Sequence, residues 1–361
     1  MKKLQLLFAI FALPLFADGP SNDDLQREID QLRMRVDRMS SGSEMPAGSA
    51  ESRASNGFNI SADLLYWQTQ SDYINYALMT SQTNYNNVPQ DNKFFEPKID
   101  WAWGFRVGAG YQFEYDNWKL QAEYTWLRPK GGSSVTIDDN ASGSIVLVEM
   151  SPGISTSWGT DGSIAAKNAT TTFSLDYNYV TLQLAKNFCV SSHIDLTTHF
   201  GLGAGWMDTT QVTTYSGGTP VTFLNTNQLV TTMDNNYWGV GPVAGLGAFW
   251  HMGFGFSLFA DTTAEILVGK SRTSRVEQVN SSESSFVKYT FDSYRYRPQL
   301  FMQLGLAYDA YFNDASQHFG LRAGWENQIW YSQMISLSDY NFEQYGDLQF
   351  SGLTIKALFE F

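Results

Sequence analysis

The sequence predicts an all-β fold, a transmembrane antiparallel β-barrel of about 10 strands (10–12) behind a short N-terminal coiled-coil helix. Three observations lead there. Charged residues make up 16% of the 361 and aromatics 15%, with 11 Trp, 19 Tyr and 25 Phe. Despite that low charge, no apolar run after residue 17 approaches the ~20 residues that a spanning helix needs. From Phe58 onward, apolar residues recur at every second position, and the connections between these stretches alternate between long and tight. The remaining composition excludes other classes. A mean hydropathy of −0.27 is too low for a helix bundle in lipid, and so aromatic a chain is not disordered. A net charge of −13 argues against a nucleic-acid partner, which needs a basic footprint. One cysteine, Cys189, excludes a disulfide framework and any CxxC metal site. In lipid the backbone is satisfied only by helices or closed barrels, so the barrel remains.

The elements follow in order. Residues 1–17 read as a signal peptide: Lys2 and Lys3, an apolar stretch from Leu4 to Phe16, then Ala17 before the cut. Residues 18–40 read as a periplasmic coiled-coil stub. Ser21 and Asp24 form an acidic capping box, and Leu25, Ile29, Leu32, Val36 and Met39 recur at a and d spacing as the oligomerisation seam. An amphipathic helix lying on the barrel is the alternative. Residues 41–57, rich in Ser, Gly and Ala, read as a flexible linker to a barrel spanning 58–361.

Strands are expected over 58–67, 101–113, 118–128, 172–188, 192–208, 229–250, 253–270, 288–312, 316–332 and 349–361. Long connections are 68–100, 129–171, 209–228, 271–287 and 333–348. Tight ones are 114–117, Val190-Ser191, His251-Met252 and 313–316. A barrel with both termini in the periplasm has short periplasmic turns and long outer loops, whereas a sandwich has no reason to gather its long loops at one end. Trp67, Trp101, Trp126, Trp206 and Trp330 fall near the long loops, with Trp118 and Trp250 beside tight turns, as two interfacial girdles would. The chain ends on an alternating apolar strand, Leu353 to Phe361. Such an exposed edge is a liability in water but natural for a strand that closes a barrel in lipid.

Three segments carry a family resemblance: Ala62-Asp-Leu-Leu-Tyr-Trp67; Gly104-Phe-Arg-Val-Gly-Ala-Gly-Tyr111 with Asp116-Asn-Trp118; and the run from Leu196 to Trp206. Gly320-Leu-Arg-Ala-Gly-Trp-Glu326 and the Phe-terminated strand agree. Together they resemble the pore-forming, MOMP-like outer-membrane proteins of Legionella and Chlamydia-like bacteria. The resemblance implies a surface-exposed porin and surface antigen in the bacterial outer membrane, oligomeric, and inserted by the barrel-assembly machinery through a signal at Phe359 and Phe361. Having only Cys189, this chain departs from the chlamydial protein, whose envelope is disulfide-linked.

Alternation then gives the lumen. The pore-lining residues expected are Asp63, Arg106, Glu123, Asp195, His199, Asp261, Glu265, Arg295, Arg297, Arg322, Glu326, Lys356 and Glu360, with Lys119 beside them. Both signs occur, so ion pairs are expected across the lumen. Inward glycines such as Gly203, Gly205 and Gly239 either leave open space or bend strands. The long loops are mostly acidic, which favours cations at the mouth. Apolar residues in 129–171 (Val135, Ile137, Ile145, Val146, Val148) are expected to fold inward or to pair as a surface element. No His-Glu-x-x-His, Gly-x-Ser-x-Gly or Walker pattern occurs, so no enzyme, metal or cofactor is expected. The function expected is passive diffusion of small hydrophilic solutes and ions, weakly favouring cations. The alternative is a structural or adhesive surface barrel with a plugged lumen.

Overall fold

The computed structural model describes residues 57–80, 92–113, 118–136, 144–146, 165–191, 193–217, 228–279, 285–312, 317–337 and 343–361. The expected signal peptide, the coiled-coil seam, the linker up to residue 56, and the turns 114–117 and 313–316 lie outside these residues.

Ten long strands form the barrel: β1 (Gly57–Ser71), β2 (Ala102–Gln112), β3 (Trp118–Leu127), β4 (Asn168–Ser191), β5 (Ile194–Ser216), β6 (Gln228–Gly253), β7 (Phe256–Val279), β8 (Ser285–Phe312), β9 (Gln317–Leu337) and β10 (Glu343–Glu360). Each pairs antiparallel with the next, and β10 returns to β1 with Ile60 opposite Phe359 and Leu64 opposite Ile355. The ring is therefore closed, and the apolar last strand has its edge covered on both sides. Phe361 packs near Phe58 and Phe359, with ring centroids 6.5 and 5.8 Å apart.

Alternation along each strand sorts side chains to two faces. Phe58, Ile60 and Leu64 point outward and are half or more exposed, while Asn59, Ser61 and Asp63 point inward and are buried. The outward band is bounded at the long-loop end by Trp103, Trp206, Trp238 and Trp325, and at the tight-turn end by Trp250, Phe254, Phe256 and Phe312. Trp238 and Trp250 lie about twelve steps of 3.4 Å apart, which at a tilt of about 40° spans roughly 30 Å, the hydrocarbon thickness. Just beyond Trp238, Lys270 and Arg272 both bond the exposed Asp292 (2.7 and 2.9 Å), and those hydrogen bonds hold its carboxyl below the usual carboxylate range.

Three expectations need correction. Strands run further at the long-loop end than hydrophobic alternation showed: most of 209–216, 271–279 and 333–337 is strand, not loop. Residues 209–216 and 271–279 are dominated by Thr, Ser and Arg, and 333–337 carries apolar residues on both faces (Met334, Ile335), so no apolar period marks them, and pairing with a neighbouring strand orders them. Trp67 and Trp330 face the interior at 0% exposure and belong to no girdle. Of the apolar residues expected in 129–171 to fold inward or to pair, Val135, Ile145 and Val146 pair as strands, and Ile137 and Val148 lie outside the described residues. Lys130–Thr136 continues β3 alongside Asn168–Ser174, and Ser144–Val146 joins Ala77–Thr80, Asn92–Phe95 and Ala165–Ala166 in a small four-stranded sheet. Finally, the turn expected at His251-Met252 lies at Gly253–Gly255, and β6 runs through His251.

That turn is a tight reversal. Gly253, Phe254 and Gly255 take φ of 103°, 54° and 82°. A Cβ on Gly255 would stand 2.6 Å from the Asp309 carbonyl oxygen. Gly255→Val is expected to lower the unfolding free energy by about 1–3 kcal/mol, read from the urea midpoint of the refolded barrel.

Candidate functional site

The lumen divides into two zones of opposite chemistry. At the level where the strands leave the outer end of the band, an apolar septum fills it. Leu65 and Trp67 come from β1, Ala102 from β2, Leu127 from β3, Phe173 to Tyr179 from β4, and Met207 from β5. Tyr237 (β6), Leu267 (β7), Phe301 (β8), Trp330 and Met334 (β9), and Leu348 and Phe350 (β10) complete it, so every strand contributes. Trp330 lies edge-on to Tyr177, Tyr179 and Tyr237 at ring centroid distances of 5.7, 5.8 and 6.4 Å. The inward glycines do not open a channel here. A Cβ on Gly205 would meet the Trp330 ring at 2.9 Å, and one on Gly203 the Tyr179 hydroxyl at 2.5 Å. Each glycine makes room for a neighbour's ring.

Between the septum and the tight-turn end lies a cavity of ≈ 240 Å³. Asp63, Glu123, Asp261, Glu265 and Glu326 line it against Arg106, Lys119, Arg322 and Lys356, with His199 among them. These charges are paired across the lumen. Arg106 of β2 donates from Nη2 to Glu326 Oε1 at 2.7 Å and from Nη1 to Asp63 Oδ2 at 3.3 Å, while its Nε bonds Thr125 (3.0 Å). Its guanidinium also lies 5.7 Å from the Trp67 ring, joining the charged zone to the septum. Glu326 accepts further bonds from Thr354 (2.9 Å) and Gln328 (2.7 Å), and Trp67 Nε1 donates to Thr354 at 3.1 Å. Lys356 of β10 reaches Glu123 of β3 at 2.6 Å. Tyr179 donates to Glu265 at the septum's underside. A bidentate or doubly bonded pair fixes two strands relative to each other as well as balancing charge.

The other predicted lumen residues are inward too, but lie elsewhere. Nearer the tight turns, Lys119 and His318 both bond Glu360 (2.9 and 2.8 Å), and His318 also bonds Asp309 (2.9 Å). Arg295 and Arg297 stand on the far side of the septum, Arg295 over the Tyr345 ring at 4.2 Å. Asp195 pairs with His251 Nε2 at 2.8 Å, and His251 Nδ1 meets Ser257 Oγ at 2.8 Å. The order carboxylate–imidazole–hydroxyl is that of a hydrolytic triad. Ser257 is only 1% exposed, however, so its hydroxyl meets no substrate, and the trio braces β5, β6 and β7. His251, Ser257, His318 and Asp309 were not among the predicted lumen residues, although all share strand parity with inward neighbours. No group of three or more metal-ligating side chains occurs among the described residues.

The septum itself went unread in the sequence, where a signal for it exists. Beyond Asp63, both faces of β1 turn apolar (Leu64, Leu65, Tyr66, Trp67), and Phe173, Leu175, Tyr177 and Tyr179 share one parity in β4. Loss of polar alternation on the inward face marks a filled lumen.

A family model described as the Legionella pneumophila major outer membrane protein precursor matches residues 52–361. Among solved structures, the chain is similar to Ail, the attachment invasion locus protein of Yersinia pestis, at 12% identity, covering 85% of this chain and 100% of that one, with TM-score 0.24. The CymD monoaromatic hydrocarbon channel is similar at 9% identity, with 87% and 93% covered and TM-score 0.31. A Pseudomonas aeruginosa FadL homologue is similar at 8% identity, with 89% and 95% covered and TM-score 0.25. No curated protein matches the chain.

Proposed function

This chain belongs to the Legionella major outer membrane protein family, and from that premise we propose that its bacterial outer-membrane barrel is a porin held shut at rest. Small hydrophilic solutes and ions enter the charged vestibule and cross only when the septum rings part. The observation that carries this reading is the change of chemistry along one lumen: a polar cavity lined by fixed charges, closed on one side by apolar side chains from every strand. A lumen serving only as a strut has no use for a cavity of ≈ 240 Å³ below its packed layer. Five carboxylates against four bases at the cavity wall, with a net charge of −13 on the chain, support a weak preference for cations. The barrel works without cofactor or catalysis. Both termini lie in the periplasm, Phe359 and Phe361 serve the assembly machinery, and the seam at Leu25, Ile29, Leu32, Val36 and Met39 joins copies.

The test is single-channel recording of the refolded, heat-modifiable protein in a planar bilayer under a potassium chloride gradient. Brief, small openings with a slightly cation-selective reversal potential are expected. Large, continuously open steps would sink the shut-at-rest reading, and a clear anion preference would sink the selectivity. A second reading, a structural or adhesive surface barrel, draws on the four-stranded sheet at the long-loop end and predicts silence whatever is done to the septum.

A further inference from the structure

Arg297 is 0% exposed, and its Nε, Nη1 and Nη2 all lack a hydrogen-bond partner among the described residues. Two positions along the same face of β8, Gln299 is 2% exposed with both amide atoms unpartnered, and the Tyr237 hydroxyl (4% exposed) is unpartnered as well. The location explains why these groups are left over. β8 pairs with β9 only as far as Gln299 opposite Trp330, and β9 is irregular between Trp330 and Met334 with Ser332 at φ 53°. Beyond that pair the two strands part, and Arg297 stands at the opening with Leu267 of β7 on its other side. The Tyr345 ring lies 5.9 Å from the guanidinium and offers it a π face but no acceptor in line.

An arginine stays charged in any protein environment. Burying that charge unpaired is too costly to be retained, so the native state must supply a counter-charge. Two charged side chains share this part of the lumen. Arg295 has the same sign. Glu265 lies opposite Gln299, with Oε1 held by Tyr179 and Oε2 buried without a partner, and neither oxygen bonds the Arg297 guanidinium. We propose that Arg297, with Gln299 and Tyr237 as neutral donors, forms a resident-anion site at the far side of the septum that takes a small monoanion of the size of chloride. Donors at most 4% exposed leave no room for a large ligand. A positive, planar fork beside an amide and a hydroxyl selects an anion over a water molecule. The site is independent of whether the barrel conducts.

The test compares thermal unfolding of the refolded full-length barrel in sodium chloride, sodium bromide and sodium gluconate at matched ionic strength. A ligand bound only by the folded state raises the midpoint. Chloride and bromide are expected to raise it by several degrees over gluconate, and Arg297→Met to abolish the difference. Gln299→Leu keeps the charge and removes a donor, so it should raise the half-saturating chloride concentration about tenfold. Crystals soaked in bromide should show an anomalous peak within about 3.5 Å of the guanidinium. Equal midpoints in chloride and gluconate for the native chain would overturn the site. So would a chloride effect that survives Arg297→Met, or density for water alone at the guanidinium. Should Arg297→Met not fold, the native chain, Gln299→Leu and the bromide peak decide.

Discussion

Replacing Trp330 with Ala, alone and together with Tyr177→Ala, is expected to raise single-channel conductance at least several-fold. Trp330 is the one septum side chain in ring contact with Tyr177, Tyr179, Tyr237 and Phe301 together. Its ring fills the middle of the septum, so truncation leaves a void bordered by rings held on the paired strands β4 and β6. The new space borders the Arg106–Glu326 network and the polar cavity, so it fills with water and does not stay dry as an apolar cavity would. The substitution also costs stability, about 3–5 kcal/mol for a buried Trp cut to Ala. Heat-modifiability on gels must therefore confirm folding before silence is interpreted. Trp330→Leu, which removes the ring and keeps apolar volume, should give an intermediate conductance at lower cost. If the double variant folds and stays electrically silent, the lumen is plugged by more than its rings, and the structural or adhesive reading stands in place of the porin.

Arg106→Met is expected to cost about 3–5 kcal/mol of unfolding free energy, the largest effect of any single lumenal charge. Arg106 is 13% exposed, and its partners Asp63 and Glu326 are 1% and 6% exposed at the side chain. Removing the guanidinium takes the shared cation from Asp63 and Glu326, leaving Glu326 only its bonds from Thr354 and Gln328. Adding Glu326→Gln to Arg106→Met should recover a substantial part of the loss, because it removes one orphaned charge, and a double-mutant cycle on urea midpoints measures it. Arg128 and Asp176 supply the contrast: they also pair at 2.9 Å, but at 51% and 47% exposure. Arg128→Met should therefore change stability by less than about 1 kcal/mol. An Arg106→Met barrel within about 1 kcal/mol of the native one would show that the cross-lumen pairs are decoration on a barrel held by its strands.

Sequence reasoning read the wall of this barrel better than its contents. Period two is set by the pleat of a single strand, so alternation places Asp63, Arg106, Glu123, Glu326 and Lys356 inward one strand at a time, and each is inward. Their partners were not assignable that way. Arg106 meets a residue 220 positions on and Lys356 one 233 positions back, distances that depend on closure and stagger of the ring. The polar strand extensions escape alternation for a related reason: Thr213 and Thr273 sit in runs with no apolar period, and only a neighbouring strand makes them strand. The Gly253–Gly255 turn was legible and misplaced, since Gly-Phe-Gly permits the positive φ that His251-Met252 does not.

What the sequence by itself determined, then, is the membrane barrel of about ten strands (10–12), the two faces of each strand and the end that carries the long loops. Each follows from local alternation, turn chemistry and the need to satisfy every backbone group in lipid. Only the tertiary structure decided that the lumen holds two zones. Side chains from all ten strands meet there, and whether they leave a water column or close on Trp330 depends on barrel diameter and on rings filling the space above inward glycines. That is a property of the closed ring which no one strand contains.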